Sequence, residues 1–311
     1  MKNFKEWKHD LIQTLNNNSS VIETTIGPIE YTIAGDKKNP IVAVMHGAPG
    51  GYDQCAIENN LINHGFCVLA WSRPGYLRTP LSVGKTFEEQ AGALIALLDA
   101  LDIKHVAVLS ISAGGAPALY TAIKYPDRVW ALISEVALSQ RYTINRLQSF
   151  FVNKLLQDRY VWLLHKLYKK SPKLVLKLFL FLEGTFDKTM RKEVIQRTLI
   201  SPESMNNFSL FLNTMSPMSI RKQGTLNDLN MYTILARIPI EKIQTPTLII
   251  QGKYDGDVDA SNALFLKNNI PQAELYWIED GSHLFWLSKY YDELINKKAE
   301  FLKNAYAKFK K

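Results

Sequence analysis

Apolar residues in this chain fall into two alternating patterns. Short, nearly unbroken apolar runs occur at Ile41–Met45, Phe66–Trp71, Val106–Leu109, Arg128–Ile133, Pro246–Gln251 and Glu274–Ile278. Runs of this length read as strands buried on both faces of a parallel sheet. Between them the apolar positions recur at helical spacing. Phe4, Trp7, Leu11, Ile12 and Leu15 predict a helix over 4–16, and a further helical stretch runs to about Asn63. Thr86-Phe-Glu-Glu89 is a capping box that opens a helix to about Leu101. Ser261–Asn268 and residues 284–303 complete the set. Val21–Ile26 and Ile29–Ile33, separated by Gly27-Pro28, read as an antiparallel pair at a sheet edge. The alternation predicts an α/β fold with a mostly parallel central sheet and helices on both faces.

The strand pattern stops near Ser139 and resumes only at Pro246. Residues 144–168, 173–182 and 187–199 have helical spacing, with Lys and Arg among Leu and Phe, and Ser-Pro pairs at 171–172, 201–202 and 216–217 punctuate them. The expected organisation is a core domain of residues 1–139 and 233–311, interrupted by an all-helical cap subdomain over 140–232. The Lys-rich end, Lys303–Lys311, is expected to fray.

Charge sharpens that division. The formal net charge is +8, and residues 140–230 hold 15 Lys and Arg against 6 Asp and Glu, while the rest of the chain holds 22 against 23. The basic excess therefore belongs to the insertion. No nucleic-acid-binding motif accompanies it, so a nucleic-acid partner is not expected. Cys55 and Cys67 form no C-x-x-C and have no neighbouring histidine cluster, so neither a zinc site nor another metal is implied. Two reduced thiols and a polar N-terminus without an apolar signal core lead to an expected cytoplasmic location.

The candidate chemistry centres on Val106-Ala-Val-Leu-Ser110-Ile-Ser112-Ala-Gly114-Gly115. This reads as a strand turning sharply into a helix with a serine at the apex, where only small residues fit on either side. Placing Ser112 at the apex leaves Ser110 and Gly114 as flanks; placing Ser110 there would put the β-branched Val108 in the crowded position. Ser112 is therefore the candidate nucleophile. Asp255 follows the Pro246 strand and His283 follows the Glu274 strand, and ligands of such sheets bind beyond the carboxyl ends of the strands.

The order Ser, Asp, His resembles that of the α/β-hydrolase fold superfamily. So do His46-Gly-Ala-Pro-Gly50, Arg73-Pro-Gly-Tyr76, the elbow, Gly252/Asp255/Val258, Gly281-Ser-His283 and a cap placed after the strand that follows the elbow helix. The chain resembles a capped serine hydrolase with an HGxPG oxyanion loop; Ser110 departs from the usual first glycine of G-x-S-x-G. The resemblance implies a Ser112–His283–Asp255 triad, with the backbone N–H groups of Ala48 and Ala113 as the oxyanion hole. Asp257 and Asp259 compete with Asp255 as the acid. His46 is expected to shape the oxyanion loop and Arg73 to pin a neighbouring one. Tyr52, Trp162, Phe208 and Phe211 are candidates to line the substrate pocket.

The expected activity is cleavage of an ester, thioester, amide or lactone of a small, mostly apolar substrate, by way of an acyl-enzyme and without a cofactor. Activity should fall as His283 protonates, near pH 6–7 for an ordinary imidazole. Three other readings stay open: an aminopeptidase resembling proline iminopeptidases, a C–C bond hydrolase, and a ligand receptor with little turnover. The basic cap would steer an anionic substrate, rest weakly on an anionic membrane surface, or simply be solvated.

Overall fold

A computed structural model describes residues 3–143, 154 and 156–311. Eight strands form one sheet, in the order β1 (Ser20–Thr24), β2 (Gly27–Ala34), β4 (Cys67–Trp71), β3 (Ile41–Met45), β5 (Val106–Ile111), β6 (Val129–Glu135), β7 (Thr247–Gly252), β8 (Glu274–Ile278). β1–β2 and β2–β4 are antiparallel, and every other pair is parallel. β4 to β7 are buried at every position, which is why their sequences carry apolar residues without alternation.

Successive side chains feed two separate cores, as the strand period of two requires. Val42, Val44, Leu109, Ile133 and Leu248 point to one face, where Leu294 and Leu302 of the C-terminal helix cover them. Ala43, Met45, Val108, Leu132 and Ile249 point to the other, against Leu94 and Leu98 of α2 (Phe87–Ala100), Leu119 of α3 (Gly115–Lys124) and Leu266 of the helix Ser261–Asn269. α1 (Phe4–Asn17) precedes the sheet. The capping box at Thr86 forms, with Glu89 N–H donating to Thr86 Oγ1 and Thr86 N–H to Glu89 Oε2.

Five described helices lie between β6 and β7: α4 (Asp158–Lys170), α5 (Pro172–Leu182), α6 (Lys188–Ile200), α7 (Pro202–Thr214) and α8 (Lys222–Thr233). The first part of the helix expected over 144–168 lies largely outside the described residues. α7 and α8 were not legible as helices. Ser201-Pro202 separates α6 from α7, as its punctuating role predicts, and it also starts α7: Ser201 Oγ accepts the N–H of Ser204 at 3.2 Å, and Pro202 occupies the first turn, where its missing N–H costs nothing. α8 is polar along much of its length and carries Gly224, whose Cα side faces the Tyr76 ring.

Two further expectations change. The stretch before Asn63 is a series of 3₁₀ turns over Tyr52–His64; its buried residues Tyr52, Cys55, Glu58 and Leu61 recur every third position, which is the 3₁₀ period. The C-terminal tail does not fray: α9 is Ser261–Asn269, and α10 continues from Tyr291 to Phe309, whose ring packs 4.9 Å from that of His105.

α10 also introduces a buried charge. Lys298 Nζ lies 2.7 Å from Glu58 Oε2 and 3.1 Å from Glu135 Oε1, with all three side chains at most 1% exposed. Burial, opposed by Lys298 and reinforced by Glu58, pushes Glu135 up to about 8. Replacing Lys298 by Met removes the only cation of this cluster. The expected loss is ~3–5 kcal/mol in urea unfolding at pH 7; a loss below ~1 kcal/mol would show that the cluster is not an electrostatic tie.

Candidate active site

Loops from the carboxyl ends of β3, β5, β7 and β8 converge on one side of the sheet. β5 ends at Ile111 and passes through a single 3₁₀ turn, Ser112–Gly114, into α3. Ser112 has φ +50°, in the left-handed region that a serine occupies only when its surroundings enforce it. Here they do. A Cβ on Gly114 would lie 2.2 Å from the Met45 carbonyl oxygen, and one on Gly115 2.2 Å from that of Leu138. Leu138 N–H donates to Ser112 O at 2.9 Å, tying the apex to the segment after β6. Ser110 tolerates the position where glycine is usual because its hydroxyl donates to Ile133 O on β6 at 3.2 Å.

His283 Nε2 lies 3.1 Å from Ser112 Oγ, and its Nδ1 lies 3.1 Å from Asp255 Oδ2. Asp255 is held from every side. Its Oδ1 accepts the N–H groups of Asp257 and Val258, each at 2.9 Å, and its Oδ2 also accepts from Gln251 Nε2 at 3.1 Å. The carboxylate is thus 1% exposed and fully hydrogen-bonded. The backbone N–H of His283 donates to Glu183 O at 3.1 Å, so the end of α5 braces the loop.

Two more carboxyls surround the imidazole. Asp257 Oδ2 is 3.6 Å from Nε2, while its Oδ1 accepts the Tyr142 hydroxyl at 2.5 Å. Glu183 stands at the cavity wall, and ligand atoms of Glu183, Asp257 and His283 all lie within 4.8 Å of one another. A cation held there would occupy the Nε2 lone pair that faces Ser112. Burial alone would depress His283. The Asp255 carboxylate and its hydrogen bond, then Asp257 and Glu183, outweigh burial and push it up to about 10. Burial, followed by Asp257, pushes Glu183 up to about 8 against the pull of His283. Asp259 lies apart, accepting from Ser261 N–H at 2.8 Å.

The loop after β3 closes the opposite wall, with Ala48 and Ala113 both facing the cavity beside Ser112. Arg73 N–H donates to His46 Nε2 at 2.9 Å, and His46 Nδ1 is 2.7 Å from Gly47 O, so Nδ1 carries the proton. Burial and the Arg73 charge hold His46 well below the usual imidazole range, leaving it neutral. Gln54 braces the turn, accepting from Gly47 N–H at 2.5 Å and donating to Pro49 O at 3.1 Å. Two buried arginines then bolt the loop region to α8. Arg73 bonds Asp228 through both guanidinium nitrogens, at 3.1 and 2.5 Å. Arg221 bonds Asp53 at 2.8 and 2.7 Å and Gly50 O at 2.8 Å.

The cavity has a volume of about 200 Å³ and no Lys or Arg among its described lining residues. Phe211 lines it, as do Phe179 and Trp286. The other three pocket candidates do not. Tyr52 donates its hydroxyl to Leu15 O at 2.7 Å, beneath the loop. Trp162 packs edge-on against Phe4, with the Lys166 ammonium 3.5 Å over its ring. Phe208 is fully buried against Tyr168 and Phe179 in the cap interior. Glu183, Arg221, Asp53 and Asp228 went unrecognised in the sequence, because their roles depend on contacts between distant segments. Glu183, the first acid after Asp158, is the one that composition could have flagged.

A mostly parallel eight-stranded sheet, a helical insertion between β6 and β7 and a serine at a strand-to-helix apex define the α/β hydrolase fold. The chain belongs to the alpha/beta hydrolase fold family, whose family model matches residues 40–290. It is 30% identical to the uncharacterized hydrolase YcgS of Bacillus subtilis, over 85% of this chain and 90% of that one. It is 24% identical to a 2-hydroxy-6-oxononadienedioate/2-hydroxy-6-oxononatrienedioate hydrolase of a Pseudomonas species, over 86% of this chain and 90% of that one. Among solved structures, an alpha/beta hydrolase fold protein from Nakamurella multipartita superposes with a TM-score of 0.84 at 29% identity, covering 91% of this chain and 98% of that one.

The backbone crossing at Gly114 generates a direct prediction. Gly114→Val drives a side chain into the Met45 carbonyl, so the variant should lose at least ~2 kcal/mol of stability and most hydrolase activity. Ser110→Gly, which removes only a side-chain bond, should retain activity within about threefold. Thermal melting together with initial rates on one ester reads both outcomes; a Gly114→Val protein as stable as the parent would contradict the packing account.

Proposed function

We propose that this protein is a serine hydrolase that cleaves an ester, or a related acyl bond, of a small and mostly apolar substrate. The observation that carries this reading is the continuous hydrogen-bonded chain Ser112–His283–Asp255 opening onto an apolar cavity. His283 Nε2 accepts the Ser112 proton as Oγ attacks the substrate carbonyl carbon. The oxyanion that forms is stabilised by the N–H groups of Ala48 and Ala113. Nε2 then returns the proton to the leaving oxygen as its bond to carbon breaks, leaving an acyl-serine. Water repeats the sequence with His283 as base and releases the acid. The cavity volume of about 200 Å³ suits a short acyl group.

A carbon–carbon bond hydrolase is the second reading, supported by the Pseudomonas relative. That relative's named substrates are dicarboxylates. Here Asp257 stands beside the base and no cation lines the cavity among the described residues, which favours a neutral acyl substrate over a dianionic one.

Hydrolysis of a short-chain p-nitrophenyl ester tests the reading. Ser112→Ala should lower kcat by a factor on the order of 10⁴ or more with an unchanged melting temperature. Saturable binding by the parent without turnover would assign the protein to the receptor class instead.

The carboxyls around His283 also change the expected pH profile. Nε2 must be neutral to accept the serine proton, so activity is lost as pH falls through the histidine pKa. Because that pKa is raised to about 10, kcat/KM should climb through neutrality to an alkaline midpoint, rather than level off near pH 6–7. Asp257→Asn removes one of the raising charges and should shift the midpoint downward. A midpoint near 6.5 in the parent, or one unmoved in Asp257→Asn, would contradict this electrostatic account.

A further inference from the structure

The outer surface of the cap combines two features that do not normally coincide on a solvated face. α4 presents Tyr160, Leu163 and Leu167 to solvent at helical spacing, and Leu163 is 51% exposed. α5 follows after Ser171 and presents Leu174 and Phe181 outward, at 51% and 56% exposure. Lys169, Lys170, Lys173 and Lys177 are exposed among them. From residue 159 to 182 the chain contains six Lys and Arg and no Asp or Glu. Among the described residues, no carboxylate pairs with these four lysines. Elsewhere on the molecule exposed lysines do find partners, as Lys253 does with Glu279 and Lys124 with Glu88.

We propose that the outer face of α4 and α5 docks this protein onto an anionic lipid surface. The lysines would meet lipid phosphates, while Leu163, Leu167, Leu174 and Phe181 would enter the acyl boundary beneath them. The lysine side chains are long enough to keep their charges at headgroup level while their stems share the apolar layer. Charge decides against a second copy of the chain on this face, because two such surfaces would repel each other. The exposed aliphatic side chains decide against nucleic acid, which offers them no hydrocarbon phase. No described helix is long and apolar enough to cross a membrane, so the contact is peripheral.

The position of α5 ties this surface to the site below. Its outward residues face the proposed lipid layer, whereas Phe179 and Leu182 on its other side line the cavity. The docking face and the substrate cavity are thus separated by one helix, which would let an apolar acyl substrate pass from the lipid layer around that helix.

Co-sedimentation of the full chain with vesicles tests the proposal. The probes are pure phosphatidylcholine and a three-to-one mixture of phosphatidylcholine and phosphatidylglycerol, each at low and moderate salt. Binding is expected to the mixed vesicles only, and to weaken as salt rises. The charge variant Lys169→Glu/Lys173→Glu/Lys177→Glu should reduce the partition constant by about a hundredfold or more. The apolar variant Leu163→Ser/Leu174→Ser/Phe181→Ser should reduce it by at least about tenfold. Both should keep the parent's melting temperature, because every altered side chain is solvent-exposed. No binding to mixed vesicles, equal binding to neutral ones, or parental binding by the charge variant would overturn the proposal. Concentration-dependent self-association abolished in the apolar variant, without vesicle binding, would assign the face to a second copy. The outcome is independent of whether Ser112 is the nucleophile.

Discussion

The site depends on one backbone crossing. β5 turns into α3 so tightly that the chain at Gly114 lies against the Met45 carbonyl and the chain at Gly115 against that of Leu138. That contact leaves Ser112 no relaxed conformation, and holds it at φ +50° with its hydroxyl directed at His283. Everything else in the site is arranged around a point that the sheet itself has fixed. Asp255 and His283 arrive on the loops after β7 and β8, the two parallel strands beyond β6, at a distance set by strand spacing rather than by flexible side chains. The strain at Ser112 persists because a large, two-sided core opposes its release.

Charge is sorted around this point. The buried arginines Arg73 and Arg221 are paired with Asp228 and Asp53, with further bonds to Gln90 and backbone carbonyls, so they shape the wall beside Ala48 without adding positive charge to the cavity. His46, in contact with Arg73, stays neutral and structural. His283, surrounded by Asp255, Asp257 and Glu183, is driven the other way. Two histidines in the same site therefore have opposite electrostatic environments, and only one of them faces the serine. Much of the basic excess of the insertion lies instead on α4 and α5, and no described Lys or Arg lines the cavity.

Most of the fold was legible because it rests on short-range signals. Unbroken apolar runs marked the strands, Thr86 and Glu89 marked a helix start, and the small residues from Ser110 to Gly115 marked the turn. The grouping of Ser112, Asp255 and His283 could be read because each directly follows a recognisable strand. The errors share a physical origin. Ser201-Pro202 marks the break after α6 correctly, but nothing in the pair itself announces that a further helix starts there until the Ser204 N–H is seen to bond Ser201. The residues Tyr52 to Leu61 repeat every third position, a period easily taken for that of an α-helix. An aromatic residue in an insertion has no sequence mark that separates cavity from core, so Phe211 lines the cavity while Phe208, three residues away, supports it from behind. Arg221–Asp53 joins residues far apart in the chain, and no local pattern announces such a pair.

Labelling with a fluorophosphonate probe, followed by peptide mapping, tests the central claim most directly. Such a probe bonds to a serine only where a neighbouring base and an oxyanion hole activate it. The account predicts a single modified residue, Ser112, with labelling lost in Ser112→Ala and in His283→Ala. Labelling at another residue, or none in protein that remains folded, would contradict it.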